Sequence, residues 1–195
     1  MKDFFNSCKP LFDTHKNGDH VEVEMRLGKM NGIMFDTNVG KDSFEKILKS
    51  LKKYNGWESV KESTTSVYYK GSTRVTIDED TENSVTVDKR KVGVVDHRLA
   101  NQPFDIRFCV SKELPAEMGE DDVMDHVRHK TRTSFVRKNL SIDMTVVTGE
   151  PDDMDDEAEE TYEVELEIIN PKLITDDDRF YNLIYKIDCI MKLLK

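Results

Sequence analysis

The sequence predicts a mainly β fold of the α+β kind: one large antiparallel sheet that curls or closes, with two helices packed on its outside. Three observations predict it. Eight runs rich in Val, Ile, Thr and Tyr follow one another through short connections, which favours antiparallel neighbours over crossover units. Only two stretches carry apolar residues at helical spacing. Nearly every strand also separates a polar face from an apolar one, so the sheet has one side to bury under helices and another that is solvent or a lumen.

The strands are expected at 20–28, 64–70, 73–79, 84–96, 104–113, 127–137, 140–148 and 161–169. The first helix is expected at Ser43–Tyr54. Phe44, Ile47, Leu48 and Leu51 form its stripe, Asp42 and Glu45 have capping-box spacing, and Asn55-Gly56 supplies the stop. The second is expected at Asp176–Lys195, with Phe180, Leu183, Ile184, Ile187, Ile190, Met191 and Leu194 on a broad apolar face. The first 19 residues are assigned to no element. The acidic run at 150–160 reads as a flexible, solvated loop. All 195 residues are expected to form a single domain.

The most informative pattern is a pair of glutamate runs. Val21-Glu22-Val23-Glu24 and Tyr162-Glu163-Val164-Glu165-Leu166-Glu167 alternate carboxylates with apolar residues, which in a strand puts the carboxylates on one face. At ~5 Å and an effective dielectric of about 20, each such pair costs roughly 3 kcal/mol before compensation. A hard divalent cation, Mg²⁺ or Mn²⁺, relieves that repulsion through the oxygen ligands it prefers. A half-exposed strand produces a single Glu-x-Glu equally well; two runs, one with three glutamates, tilt the reading toward metal.

Other strands carry the opposite sign. Arg128, Lys130 and Arg132 share a face, as do Ser72, Arg74, Thr76 and Asp78. Asp105, Arg107, Cys109, Ser111 and Glu113 form a mixed row. Acidic and basic rows on separate strands favour a charged lumen over a plain surface, with a metal and an anion as its contents.

Composition removes several alternatives. A net charge of −10, from 29 basic and 39 acidic residues, argues against a non-specific duplex-DNA binder. No apolar run approaches the roughly 18 residues of a membrane span, and Met1–Pro10 lacks the apolar stretch of a signal peptide. Cys8, Cys109 and Cys189 form no Cys-x-x-Cys pair, and His126 and His129 have no third ligand for zinc. An intracellular, reducing compartment is the expectation.

Taken in order, these strands resemble the metal-dependent RNA 5′-triphosphatases of fungal, protozoal and viral mRNA capping, members of the triphosphate tunnel enzymes. The resemblance is carried by Val21-Glu22-Val23-Glu24 with Leu27-Gly28, Arg74, Asp88-Lys89, Asp105 to Glu113, and Arg128-x-Lys130-x-Arg132 with Ser134-Phe135. Ile142-Asp143-Met144-Thr145 and Tyr162 to Ile168 complete it. It implies an eight-stranded antiparallel β-barrel, the triphosphate tunnel, that hydrolyses the γ-phosphate of a 5′-triphosphate RNA end and accepts free NTPs. By position it implies Glu22, Glu24 and Glu167 as ligands of Mg²⁺ or Mn²⁺. Glu163 and Glu165 would hold a water of the metal shell and orient basic side chains. Arg74, Lys89, Lys130 and Arg132 would clamp the phosphates, Arg128 would support the site through carboxylates, Glu113 would position or deprotonate the attacking water, and Asp143 would brace the basic strand. A guanylyltransferase domain or subunit is the implied partner. The implied compartment is nuclear or cytoplasmic, or a viral factory or virion for a viral member, which the compact length suits.

One position departs from the pattern. Strict alternation from Val85 and Val87 would turn Lys89 toward the apolar face, so either a bulge resets the register or Arg90 takes the role. Two rivals stand beside the main reading. A hydrolase or cyclase for small triphosphates shares the fold, though such relatives show Glu-x-Glu-x-Lys where this chain has Arg26. A non-catalytic anion- or partner-binding module fits the basic rows but leaves the glutamates unexplained.

Overall fold

The structure, a computed structural model, describes residues 1–119, 123–149 and 159–195. It runs α1 (Lys2–His15), β1 (Val21–Asn31), β2 (Met34–Asp36), α2 (Lys41–Lys53), β3 (Ser59–Lys70), β4 (Thr73–Asp78) and β5 (Ser84–His97). It continues through β6 (Asp105–Pro115), β7 (His126–Arg137), β8 (Leu140–Gly149), β9 (Glu160–Ile168), a 3-10 turn at Pro171–Leu173 and α3 (Asp177–Lys192). Neighbouring strands follow the order β1-β6-β5-β4-β3-β7-β8-β9, and β9 returns to pair with β1. Every pairing is antiparallel, so eight strands close into a barrel, with β2 folded back on the end of β1. Closure leaves no exposed sheet edge, and it converts the second face of every strand into a lumen.

The apolar faces of β1, β6, β8 and β9 are buried under the helices. Met25, Leu27, Ile106, Phe108, Leu166 and Ile168 are essentially inaccessible and share one core with Phe4, Phe12, Phe180 and Ile184. Side chains of this size contribute about 1.5–3 kcal/mol each on full burial, which sets this half of the barrel as the rigid support of the lumen. Phe12 and Phe180 stack at 4.0 Å, joining α1 to α3.

Several elements differ from the sequence reading. The N-terminal stretch forms α1, whose Phe4, Cys8 and Phe12 recur every fourth residue and are buried. Pro10 lies inside that helix and masks the pattern, because an interior proline removes a backbone hydrogen bond and normally ends a helix. α2 begins at Lys41 behind Gly40, whose φ is 75°; Asp42 therefore falls within the first turn, and no side chain caps the helix. Tyr54, in an extended conformation, follows its last residue, and Gly56 is not left-handed. β3 begins five residues early, at Ser59, through a stretch whose adjacent Lys61 and Glu62 hide the alternation. β9 opens at Glu160; the rest of the expected acidic loop, 150–158, lies outside the described residues.

Two glycines admit close approaches. A Cβ on Gly28 would collide with the Asp36 carbonyl and the Phe35 ring, so β2 folds back only over glycine. A Cβ on Gly93 would stand 2.8 Å from Leu11 of α1. Gly93 sits where β5 shifts register against β6, and the irregularity seats the helix there.

Candidate active site in the barrel lumen

Alternation along the strands sends charged side chains from β1, β4, β5, β6, β7 and β9 into one lumen cavity of about 400 Å³, where β3 adds Ser63, Thr65 and Val67. Glu22, Glu24 and Arg26 come from β1, Glu165 and Glu167 from β9, Arg74 from β4, Lys89 from β5, Glu113 from β6, and Lys130 and Arg132 from β7. Of the twelve site candidates in the sequence, nine line this cavity; Glu163, Arg128 and Asp143 stand outside its lining.

The carboxylates concentrate at the β1–β9 seam. Glu24 lies directly opposite Glu167, and Arg26 opposite Glu165. Directly opposed residues bring their Cβ atoms to roughly 4.5–5.5 Å, where like charges destabilise a sheet. Arg26 answers part of that charge: its Nη2 is 2.9 Å from Glu24 Oε1 and its Nε 2.9 Å from Glu165 Oε1. The Nε approach lacks hydrogen-bond alignment, so this buried N–H has no hydrogen-bond partner among the described residues. Burial raises the Glu24 carboxyl above its ordinary range against the pull of Arg26. Burial also works to raise Glu165, but the Arg26 and Arg132 guanidiniums outweigh it and hold that carboxyl low.

Glu167 is the residue left over. It makes no ion pair or hydrogen bond among the described residues, and burial together with the charges of Glu22 and Asp143 pushes its carboxyl up to about 7. Among the described residues no three His, Cys, Asp or Glu side chains already converge as a metal cage. The reason lies in the ion pairs: Glu22 is drawn toward Lys89 and Ser111, and Glu24 toward Arg26. The donor chemistry nonetheless fits a hard divalent cation, since three carboxylates on adjacent strands carry more negative charge than their neighbours neutralise.

The lumen cations fall into two sets. Lys89 bridges Glu22 and Glu113, at 3.1 Å from Glu113 Oε1. Arg132 donates through Nε to Thr145 Oγ1 at 2.9 Å, through Nη1 to Asp143 at 3.4 Å and through Nη2 to Glu165 at 3.3 Å. Asp143 is itself fixed by the Ser141 hydroxyl at 2.6 Å. Arg74 and Lys130 line the same cavity with no carboxylate at ion-pair distance among the described residues.

Lys89 needs no bulge to enter the lumen. Val85 and Val87 line the cavity themselves, so strict alternation carries Lys89 inward, while Arg90 points out and pairs with Asp88 at 2.7 Å. The apolar appearance of Val85 and Val87 was the misleading signal; one end of this lumen is simply apolar. Among the described residues Arg128 has no carboxylate partner. It is exposed, and its guanidinium lies 5.7 Å from the centre of the Tyr69 ring. Glu163 is buried on the same face of β9 and accepts the Thr37 hydroxyl at 3.0 Å. Arg107 pairs with Asp96 at 2.7 Å, away from the cavity. Sequence reasoning missed the role of Arg26, although its spacing of two from Glu24 was the available signal. A larger groove of about 1080 Å³ between α2, α3 and the β7–β8 turn has basic residues but no carboxylate in its lining, so it lacks the paired acidic and basic rows of the lumen.

Residues 30–184 match the family model described as mRNA capping enzyme, beta chain. The chain belongs to that family. It is an RNA 5′-triphosphatase of mRNA capping, a hydrolase built on the triphosphate tunnel fold. The matched stretch begins after Glu22 and Glu24, so those two are placed by the barrel alone. The Pct1 RNA triphosphatase of S. pombe superposes with a TM-score of 0.80 at 18% identity, over 95% of this chain and 92% of that one. Pct1 in complex with the Spt5 CTD gives 0.79 at 20%, over 97% and 91%. The Mimivirus capping enzyme triphosphatase gives 0.66 at 17%, over 98% of both chains. At these identities the likeness is one of fold. No curated protein matches the sequence.

Proposed function

We propose that this capping-family barrel hydrolyses the γ-phosphate of triphosphate-ended RNA in its lumen with a divalent cation, Mg²⁺ or Mn²⁺, held by Glu22, Glu24 and Glu167. Free nucleoside triphosphates enter the same site. The observation that carries the reading is the meeting, in one cavity of about 400 Å³, of an under-neutralised carboxylate seam with cations that lack carboxylate partners among the described residues.

Phosphoryl transfer spreads charge over the equatorial oxygens, so positioning and neutralisation matter more than covalent help. Arg74 and Lys130 direct donors at those oxygens without first breaking an ion pair. Arg132 spends three donors on Thr145, Asp143 and Glu165 and keeps one N–H on each terminal nitrogen for phosphate. Glu163 and Glu165 serve by orienting the basic side chains. The cation supplies neutralisation of the phosphate oxygens and a fixed orientation. Glu113, with Lys89 on Oε1, orients the attacking water through its other oxygen. Water adds to the γ-phosphorus, the bond to the bridging oxygen breaks, and a diphosphate end, inorganic phosphate and a proton are released.

A diphosphate end is the substrate a guanylyltransferase consumes, so a domain or subunit of that class is the partner. The setting is the nucleus or cytoplasm, or a viral factory or virion if the source is a virus. The test is release of γ-labelled phosphate from triphosphate-ended RNA in EDTA, Mg²⁺ or Mn²⁺. Release that depends on metal and leaves a diphosphate end supports the proposal; no release from folded protein with either metal overturns it.

A further inference from the structure

Past the end of the phosphate cavity the lumen faces continue, for one more step on β3 and two on β7. On β3 the row Ser63, Thr65, Val67 leads to Tyr69, and on β7 the row Arg132, Lys130 leads back to Arg128 and His126. Tyr69 and His126 are direct cross-strand partners, and their rings lie parallel, 4.5 Å apart and 6° from coplanar. Arg74, the partner of Tyr69 on its other side, sets its guanidinium 5.3 Å from the Tyr69 ring centre.

Arg74 is the link. It lines the phosphate cavity and also packs on this aromatic pair. Tyr69 is buried beneath its neighbours, while His126 is exposed. The start of β7 is held in place: Asp125 donates its backbone N–H to the Tyr69 carbonyl at 2.7 Å and accepts the Gly71 N–H at 2.9 Å. The His126 ring is therefore supported from below and open above.

We infer that His126, backed by the Tyr69 ring on which Arg74 and Arg128 also pack, is a stacking platform for the nucleobase of the first RNA nucleotide. The inference rests on the lumen being the triphosphate site. Single-stranded RNA is recognised by stacking bases on aromatic, imidazole and guanidinium planes, and such stacking tolerates any base sequence. A triphosphate site that must accept every transcript end needs that tolerance. A purely structural Tyr–His pair would have no reason to leave the imidazole exposed at the end of an anion site.

The test compares two 3′-labelled oligoribonucleotides, both triphosphate-ended, one with an ordinary and one with an abasic first nucleotide. Binding is read by anisotropy and phosphate release by steady-state kinetics. On wild-type protein the abasic end should bind roughly 5- to 100-fold more weakly, the range expected for one stacked base. His126→Ala should lose the same factor for the ordinary end, through KM rather than kcat, and lose nothing further for the abasic end. His126→Phe should restore the difference. Equal binding of the two ends by wild type, or an equal loss on both ends in His126→Ala, overturns the platform. If wild type discriminates the two ends but releases no phosphate, the hydrolytic reading falls and the platform stands.

Discussion

The β1–β9 seam and the wall built by β3, β4 and β7 face each other across one lumen and handle charge differently. At the seam, Glu24, Glu165 and Glu167 are crowded into two adjacent strands, and their environments diverge. Glu165 is held low by two guanidiniums, while Glu24 and Glu167 are pushed up by burial and neighbouring negative charge. On the opposite wall, Arg74 and Lys130 carry no carboxylate partner among the described residues, whereas Arg132 is tied to Asp143 and Glu165. The difference teaches which groups support and which await a ligand. Arg132 and Glu165 are tied inside the protein and hold the geometry, whereas Glu167, Arg74 and Lys130 have no ion-pair partner among the described residues.

The largest effect is expected from removing a carboxylate of the proposed metal site. Glu24→Gln is expected to lower metal-dependent phosphate release by about 10³-fold and to abolish the rise in Tm that added Mn²⁺ gives the wild type. Retention of the Mn²⁺-induced rise would remove Glu24 from the ligand set. Next come the two kinds of cation. Arg74→Ala should cost on the order of 10² in rate with little change in Tm. Arg132→Ala should in addition destabilise the fold, by up to about 3–5 kcal/mol, because buried Asp143 loses its cation and Glu165 keeps only Arg26. Denaturant unfolding of both variants separates the cases, and equal stabilities would erase the distinction.

Glu167 gives a test through pH. Its folded-state value of about 7 lies above the ordinary 4.5, so the neutral carboxyl stabilises the fold below pH 4.5 and that contribution is lost as pH rises toward 7. Glu167→Gln should therefore stabilise metal-free protein at pH 8 by up to about 3 kcal/mol and leave it unchanged near pH 4. A variant no more stable than wild type at pH 8 would show that the seam is already neutralised. The smallest effect sharpens the register of β5. Arg90→Ala, at an exposed surface pair, should change activity less than about twofold and stability by under about 1 kcal/mol. Lys89→Ala, which strands Glu22 and Glu113, should impair both. Equal effects would mean that Arg90 shares the lumen.

Much of the site was legible because alternation is a local rule. Glu22, Glu24, Glu165, Glu167, Lys130 and Arg132 reach the lumen simply by standing two residues apart in strands. The rule failed where polarity and facing part company. Val85 and Val87 are apolar yet line the lumen, and Arg128 has the right parity but sits at the exposed start of β7. Pro10 concealed α1 because local propensity was outweighed by packing of Phe4 and Phe12 into the core.

The sequence alone determined the strand order along the chain, the split between acidic and basic rows and the apolar faces that call for helices. Each of these follows from side-chain period over a few residues. Tertiary structure alone decided that β9 closes on β1, that Glu24 stands opposite Glu167, and that Arg26 rather than a lysine of the basic row answers the seam. Those facts depend on register between strands about 140 residues apart, where distance along the chain carries no information about distance in space.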